Sequence, residues 1–296
     1  MTRRHWLVLA AGVVAVSWAA PLIRLAEAPA IVVAALRLSA AAPPVAGAAL
    51  WRRRAELRAI SWASALALVV AGLALAAHFG FWIASLDRTS VITSVVLVTT
   101  HPLFVALGGW WLLDERPSRS IFLAITTAIA GALLLAGPDL RDGGTLVGAL
   151  FALLGALFAA VYFIAGRWLR AGLSNLSYIA GVNSIAAVAL LGALFASGHT
   201  VEGLPRDAYL YILLLALVPQ LIGHGAFNWA LGSLPAAIVA VPILGEAVGA
   251  TLISATLLDE VPTLREWLGS AVVLSGVYLV LRRAGAEQLA PAAPRP

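Results

Sequence analysis

Residues 112–117 read Leu-Leu-Asp-Glu-Arg-Pro, and residues 257–262 read Leu-Leu-Asp-Glu-Val-Pro. The two stretches are offset by 145 residues, and the offset carries outward: Leu86 falls on Leu231, Gly131 on Gly276 and Leu135 on Val280. Each copy closes an apolar run. The first closes the fourth such run of the chain and the second closes the ninth, so the repeating unit holds five runs. If each run crosses a membrane, five crossings leave the second unit upside down relative to the first. Inverted repeats are the architecture of many secondary transporters, because two pseudo-equivalent halves can exchange inward-open and outward-open shapes around a site near the midplane.

Composition requires a membrane. Of 296 residues, 62% are hydrophobic and 11% are charged, against roughly 25% charged in an ordinary soluble domain. About half of a soluble protein's surface must stay wet, and this chain lacks the polar residues to supply it. Spans need about 20 apolar residues each. Runs are expected at about 6–23, 29–50, 61–84, 89–112 and 119–137, then at about 145–166, 175–197, 208–231, 236–258 and 265–281. The reading is an all-α integral membrane protein of ten transmembrane helices, arranged as two inverted five-helix repeats over 1–140 and 141–283. The Ala- and Pro-rich tail 284–296 is expected to be disordered. The connection between runs eight and nine carries no charge, so a hydropathy count could fuse them.

All 19 basic residues are Arg. With the N-terminus inside, thirteen of them fall in cytoplasmic segments, among them Arg3, Arg4, Arg52, Arg53, Arg54, Arg58, Arg116 and Arg167; five fall outside and Arg37 lies within a span. That bias places both termini in the cytoplasm. It also accounts for the net charge of +5 without a nucleic-acid partner. The first run follows Arg3 and Arg4 as a signal peptide would, but Pro21, Arg24 and Glu27 stand where a small-residue cleavage site belongs, so it is read as a retained helix. Trp6, Trp51, Trp62, Trp110, Trp111, Trp168 and Trp267 fall near run ends, as interfacial anchors do. Trp18, Trp82 and Trp229 lie deeper.

Together, the Leu-Leu-Asp-Glu-x-Pro copies, the stretch Gly-His-Gly-Ala-Phe-Asn-Trp-Ala-Leu at 223–231 and Gly245-Glu246 resemble the EamA-type branch of the drug/metabolite transporter superfamily. The resemblance covers about residues 6–283. It implies ten helices, alternating access and export of small metabolites across a bacterial inner membrane. Within that branch the nearest association is the YddG-type amino-acid exporters. The halves are not identical: His101-Pro102 stands where the second half has Glu246-Ala247, so a role for Glu246 is not doubled by symmetry.

Ionisable groups at mid-membrane are costly and normally face a cavity or a partner. The candidates are Arg37, His78, His101, His224 and Glu246, with Asn183, Gln220 and Asn228 as uncharged polar groups. His78, Phe81 and Trp82 share a helical face by their spacing, and so do His224 and Asn228. These matched aromatic-plus-imidazole surfaces suit a small-molecule pocket. The substrate-contact set is therefore Trp18, His78, Phe81, Trp82, His101, Tyr162, His224, Asn228 and Glu246. The competing reading is that a buried His or Asn merely bonds a neighbouring helix. Glu246 is the one deep carboxylate: it could hold an amino group, exchange a proton for substrate, or pair with Arg37 or a His. Arg37 could form an internal ion pair or bind a substrate anion. Pro102, Pro219 and Pro242 predict broken helices, which in inverted-repeat transporters point to binding sites. The Asp114-Glu115 and Asp259-Glu260 pairs read as turn and helix-start chemistry at the membrane surface.

Other classes fit poorly. The chain has no Cys, which removes disulfides, zinc–thiolate sites and thiol nucleophiles. Without Lys there is no P-loop, which argues against ATP-driven transport by this chain alone, and no Schiff base. No His-Glu-x-x-His or Gly-x-Ser-x-Gly motif is present. No metal, cofactor or catalytic residue is expected, and a passive channel lacks its polar stripe. The leading expectation is a secondary exporter of amino acids, aromatic or otherwise apolar, with multidrug or other metabolite transport as the alternative and proton coupling as an option.

Overall fold

The computed structural model describes residues 2–89, 91–116, 118–136, 143–257 and 263–287. Helices α1 to α4 are Arg3–Leu25, Ala30–Arg52, Trp62–Leu86 and Thr93–Leu113. Helices α5 and α6 are Arg119–Ala136 and Gly143–Leu169. Helices α7 to α9 are Asn175–Ser197, Arg206–Leu231 and Ala236–Leu257, and α10 is Leu264–Glu287. A short helical turn, Arg54–Arg58, follows α2. Eight of these helices are long and apolar enough to cross a membrane; α5 and α10 contribute shorter apolar stretches, Ile121–Gly131 and Trp267–Gly276. The expected run ends differ from the observed ones by a few residues, and runs eight and nine are separate. Asp259-Glu260 lies outside the described residues. Helix α10 runs through Glu287, past the expected start of the tail at 284, and residues 288–296 lie outside the described set.

Local chemistry sets the boundaries. Pro29, Pro205 and Pro235 stand just before α2, α8 and α9, where the missing N–H costs nothing. Ser61 and Ser174 cap α3 and α7 by accepting from the amides of Ser64 and Ser177, which satisfies one orphan donor in each. Asp114 ends α4 in the left-handed region, φ 52°, a conformation that a short polar side chain tolerates.

Three helices are interrupted where proline was expected to interrupt them. Helix α4 breaks at Thr99–Thr100, just before His101-Pro102. Helix α9 tightens to a 3-10 turn over Val241–Leu244, around Pro242. The break in α4 and the end of the turn in α9 coincide under the 145-residue offset. Helix α8 widens to a π-helix over Ala216–His224, around Pro219. Pro43 and Pro44 sit inside α2 without ending it.

The packing comes in exchange-related pairs. Helix α6 lies against α3 and α4 as α1 lies against α8 and α9, while α2 packs on α7, α5 on α10 and α4 on α9. The α5–α10 crossing is close: a Cβ on Gly131 would meet the Val273 amide nitrogen at 2.6 Å. Among Leu7, Val188 and Phe195, exposure reaches 90% at Phe195. Side chains of that kind on the outer face of long apolar helices belong in lipid. All seven terminal tryptophans are exposed, as interfacial anchors would be. The chain is a multi-pass, all-helical membrane protein.

Candidate functional site

The interrupted segments of α4 and α9 meet at a central cavity of about 30 Å3, the room of one or two waters. Helix α1 gives it Val16 and Ala19, α2 Arg37, and α3 His78 and Trp82. Helix α4 contributes Val98, Thr99 and His101, and α6 contributes Ala159, Tyr162 and Phe163. The remaining wall is His224 and Phe227 of α8 with Ile243 and Glu246 of α9. Both halves of the chain therefore share it.

Arg37 is fully buried, and its Nε, Nη1 and Nη2 all lack a hydrogen-bond partner. Its guanidinium sits 4.0 Å from the centroid of the Phe79 ring. That cation–π contact is worth about 0.5–2 kcal/mol and does not replace the lost hydration of a buried cation. Glu246, also buried, lines the same cavity. Among the described residues no ion pair within 4.0 Å joins the two. An Arg37–Glu246 ion pair, one of the readings open to Glu246, is thus not formed, although both residues line the cavity.

The imidazoles surround them. His78 donates from Nδ1 to the Gly155 carbonyl at 2.9 Å, which leaves Nε2 as an acceptor if the ring is neutral. It stacks on Trp82, centroids 5.9 Å apart and planes 10° apart. His224 meets His78, Phe79 and Tyr162 at 6.3, 5.3 and 6.2 Å. His101 donates from Nδ1 to the Val98 carbonyl at 3.2 Å, next to the helix break, and contacts Phe163. Trp82 Nε1, His101 Nε2 and His224 Nδ1 are buried without partners. Native proteins satisfy nearly all buried polar atoms. Here these exceptions cluster on one cavity.

Of the expected set, His78, Trp82, His101, Tyr162, His224 and Glu246 line the cavity. Asn228 stands one bond behind, accepting from the Tyr162 hydroxyl at 2.7 Å. Trp18 and Phe81 are not among the lining residues. Trp18 is 38% exposed at a break in α1. Phe81 stacks on Phe158, packs edge-on against Phe151 and lines a separate apolar groove. Trp229 lies under Arg4 and beside His5. Thr99, Phe163 and Phe79 were not anticipated; Thr99 was signalled by the His-Pro break beside it and Phe163 by neighbouring Tyr162. Gln220 donates to Asn183 at 3.1 Å, a plain interhelical tie.

At and beyond the helix ends on one side of the bundle, several charges have partners. Glu115 accepts from Arg167 Nε at 2.6 Å and from the Ala236 amide at 3.0 Å. Glu56 accepts from the Ser174 amide at 2.6 Å. Partial burial raises the Glu56 pKa, but bonds from the Ser174 amide and the hydroxyls of Ser174 and Ser177, with nearby Arg53, outweigh it and hold the carboxyl below its ordinary value. Burial lowers the pKa of Arg170, against the opposing pull of Tyr178 and Glu56. Among the described residues, no group of three or more His, Asp or Glu could hold a metal ion.

Comparison with known proteins agrees with this architecture. A transporter of Bacillus subtilis strain 168, described as "Uncharacterized transporter YwfM", is 24% identical over 250 residues, covering 83% of this chain and 82% of its own. An uncharacterized transporter of Archaeoglobus fulgidus is 25% identical over 197 residues, 66% of this chain and 69% of its own. One of Helicobacter pylori strain J99 is 25% identical over 221 residues, 73% of this chain and 72% of its own. A solved crystal structure superposes with a TM-score of 0.79 over 98% of this chain and 100% of its own at 17% identity, a likeness of fold. The EamA-like transporter family profile matches twice, at residues 5–137 and 146–282. Those two matches cover most of the chain: it belongs to the EamA-like transporter family.

Proposed function

We propose that this transporter is a secondary exporter of amino acids, working by alternating access in a bacterial inner membrane with both termini in the cytoplasm. In this reading ten helices span the bilayer as two inverted five-helix units, 1–140 and 141–283. The bond from the Ala236 amide to Glu115 supports it, because it sets the start of α9 against the end of α4, so the two helices run in opposite directions. The packing pairs exchanged between halves support it too.

The observation that carries the substrate class is Arg37, a buried guanidinium without a hydrogen-bond partner, facing the one carboxylate of the cavity. A zwitterion answers both: its carboxylate takes the Arg37 donors and its ammonium takes Glu246. His78, Trp82, His101, Tyr162 and His224 supply an amphipathic wall for the side chain, with Asn228 holding Tyr162 in place. Phe163, Phe227, Val98 and Ile243 favour an apolar or aromatic one. At about 30 Å3 the cavity holds no amino acid, so this is an occluded shape that must widen to load. Glu246 is also the group that could take up a proton when substrate leaves.

A thermal-shift screen of amino acids on the purified protein, followed by counterflow in proteoliposomes without ATP, tests this. Stabilisation and exchange by an apolar or aromatic amino acid are expected, and Arg37→Met should lose both. The apolar wall also suits a lipophilic cation; stabilisation by such cations and by no amino acid would replace the amino-acid reading with multidrug transport.

A further inference from the structure

Four helices that line the cavity, α4, α6, α8 and α9, converge again beyond it on a single charged knot. Glu115, just past the end of α4, accepts from Arg167 Nε of α6 at 2.6 Å and from the first amide of α9, Ala236, at 3.0 Å. Arg167 Nη1 donates to the Leu231 carbonyl at the end of α8, 2.9 Å away. The turn at Asp114, with the Glu115 amide donating to Gly109, aims the carboxylate inward. Glu115 is the knot's one contribution from the first half; Arg167, Leu231 and Ala236 come from the second. Arg167 is five residues past Tyr162, about 7.5 Å along the helix. Tyr162 and Phe163 of the cavity wall stand within two turns of Arg167 on α6, and Tyr162 donates to Asn228 of α8, the helix whose Leu231 carbonyl Arg167 holds.

The other face of the knot meets a wide pocket of about 650 Å3, lined by Ser61, Ser64, Leu113, Glu115, Arg167 and Trp168 among others. Glu115 and Arg167 keep 20% and 26% of their side-chain surface exposed. An ion pair with that access to water is a weak tie, and groups released from it can rehydrate from the pocket. A knot built from both halves, placed between a wide vestibule and a narrow cavity, has the form of a barrier that ligand binding could shift.

We propose that Glu115 and Arg167 are the gate residues of this end of the transport path, holding the cavity closed from the vestibule, and that the two halves part there when the cavity opens. The inference rests on the transport reading above, but its test needs no substrate, so the two can fail separately.

The sequence has no cysteine, so Ala159→Cys, on the α6 wall of the cavity, introduces a lone thiol. A membrane-impermeant maleimide is applied from each face in whole cells and inverted vesicles. Labelling from the vestibule face should be slow in the Ala159→Cys protein and about tenfold faster once Glu115→Gln is added. Glu56→Gln, which loosens a neighbouring tie to α7, should leave it unchanged. Should Glu115→Gln fail to fold, Arg167→Lys, which keeps the charge and loses the two-point contact, is read in the same way. Labelling within twofold of the parent in a monodisperse variant would overturn the proposal. So would an equal rise from both faces, or the same rise with Glu56→Gln, since these report general loosening.

Discussion

Within a few turns of helix α6 the molecule holds a guanidinium and a carboxylate twice. In the knot, Glu115 has a donor on each oxygen and Arg167 uses Nε and Nη1. In the cavity, Arg37 has none of its nitrogens bonded, although Glu246 lines the same space. The pairs differ in surroundings more than in chemistry. Helix ends supply free amides and carbonyls, which complete the knot, whereas at the cavity the Gly155 and Val98 carbonyls are taken by His78 and His101 and no carbonyl meets the Arg37 guanidinium. A buried ion that the protein leaves incomplete destabilises the fold, and a ligand that completes it recovers that loss. This contrast is the ground on which we propose gating for the first pair and recognition for the second.

The sharpest break of this contrast is Arg37→Met. If Arg37 serves recognition, counterflow should fall at least about a hundredfold, because a substrate carboxylate would be left unpaired in the membrane interior. The melting temperature should hold or rise, since replacing a buried unsatisfied charge by a well-packed apolar chain is often neutral or stabilising. A large loss of stability would instead make Arg37 a structural residue. Arg37→Lys should rescue poorly, because an ammonium lacks the planar fork. Glu246→Gln comes next: substrate affinity should fall about tenfold or more, and an unchanged dependence of transport on pH would remove Glu246 from proton coupling.

A moderate effect separates wall from support. Tyr162→Phe removes the donor to Asn228 and leaves a buried amide oxygen unpaired, at about 1–3 kcal/mol, which should appear partly as weaker binding and partly as a lower melting temperature. Phe81→Ala should leave substrate affinity within about twofold, since Phe81 packs on Phe158 and Phe151 away from the cavity. A tenfold loss there would place the pathway along the outer groove.

Phe81 also shows where sequence reasoning stops. The runs, the breaks before Pro102 and around Pro219 and Pro242, and the ionisable cavity residues Arg37, His78, His101, His224 and Glu246 were legible, because ionisable groups in apolar runs are rare and periodicity assigns them a face. Spacing placed Phe81 beside His78, but at about 100° per residue it falls on the opposite flank from Trp82 and Phe79. Which flank turns inward depends on the neighbour: α6 presents Gly155 to Trp82, where a Cβ would sit 3.2 Å from the Trp82 Cβ. Trp18 failed for the same reason, as Val16 and Ala19 turn to the cavity and Trp18 turns away. The knot was half-legible. The Asp-Glu pair was read as helix-start chemistry, and Glu115 does accept from the first amide of α9; but that helix belongs to the other half of the chain, and no local pattern names a partner 121 residues away.

The smallest expected effect concerns the satisfied end of the comparison. Glu56 accepts from the Ser174 amide that starts α7, and its carboxyl is held below the ordinary value of 4.5. A carboxyl lowered in the folded state lends stability that is complete above its unfolded pKa and disappears as pH falls through its folded one. The wild type should therefore melt slightly above Glu56→Gln at pH 7, by about 2 °C or less for a tie this exposed. The difference should shrink to nothing as the buffer is taken from pH 5 towards pH 3. Melting curves of the two proteins across that range decide it. A difference that persists at pH 3 would assign the effect to packing of the side chain and leave the charge of Glu56 without a part in joining the two halves.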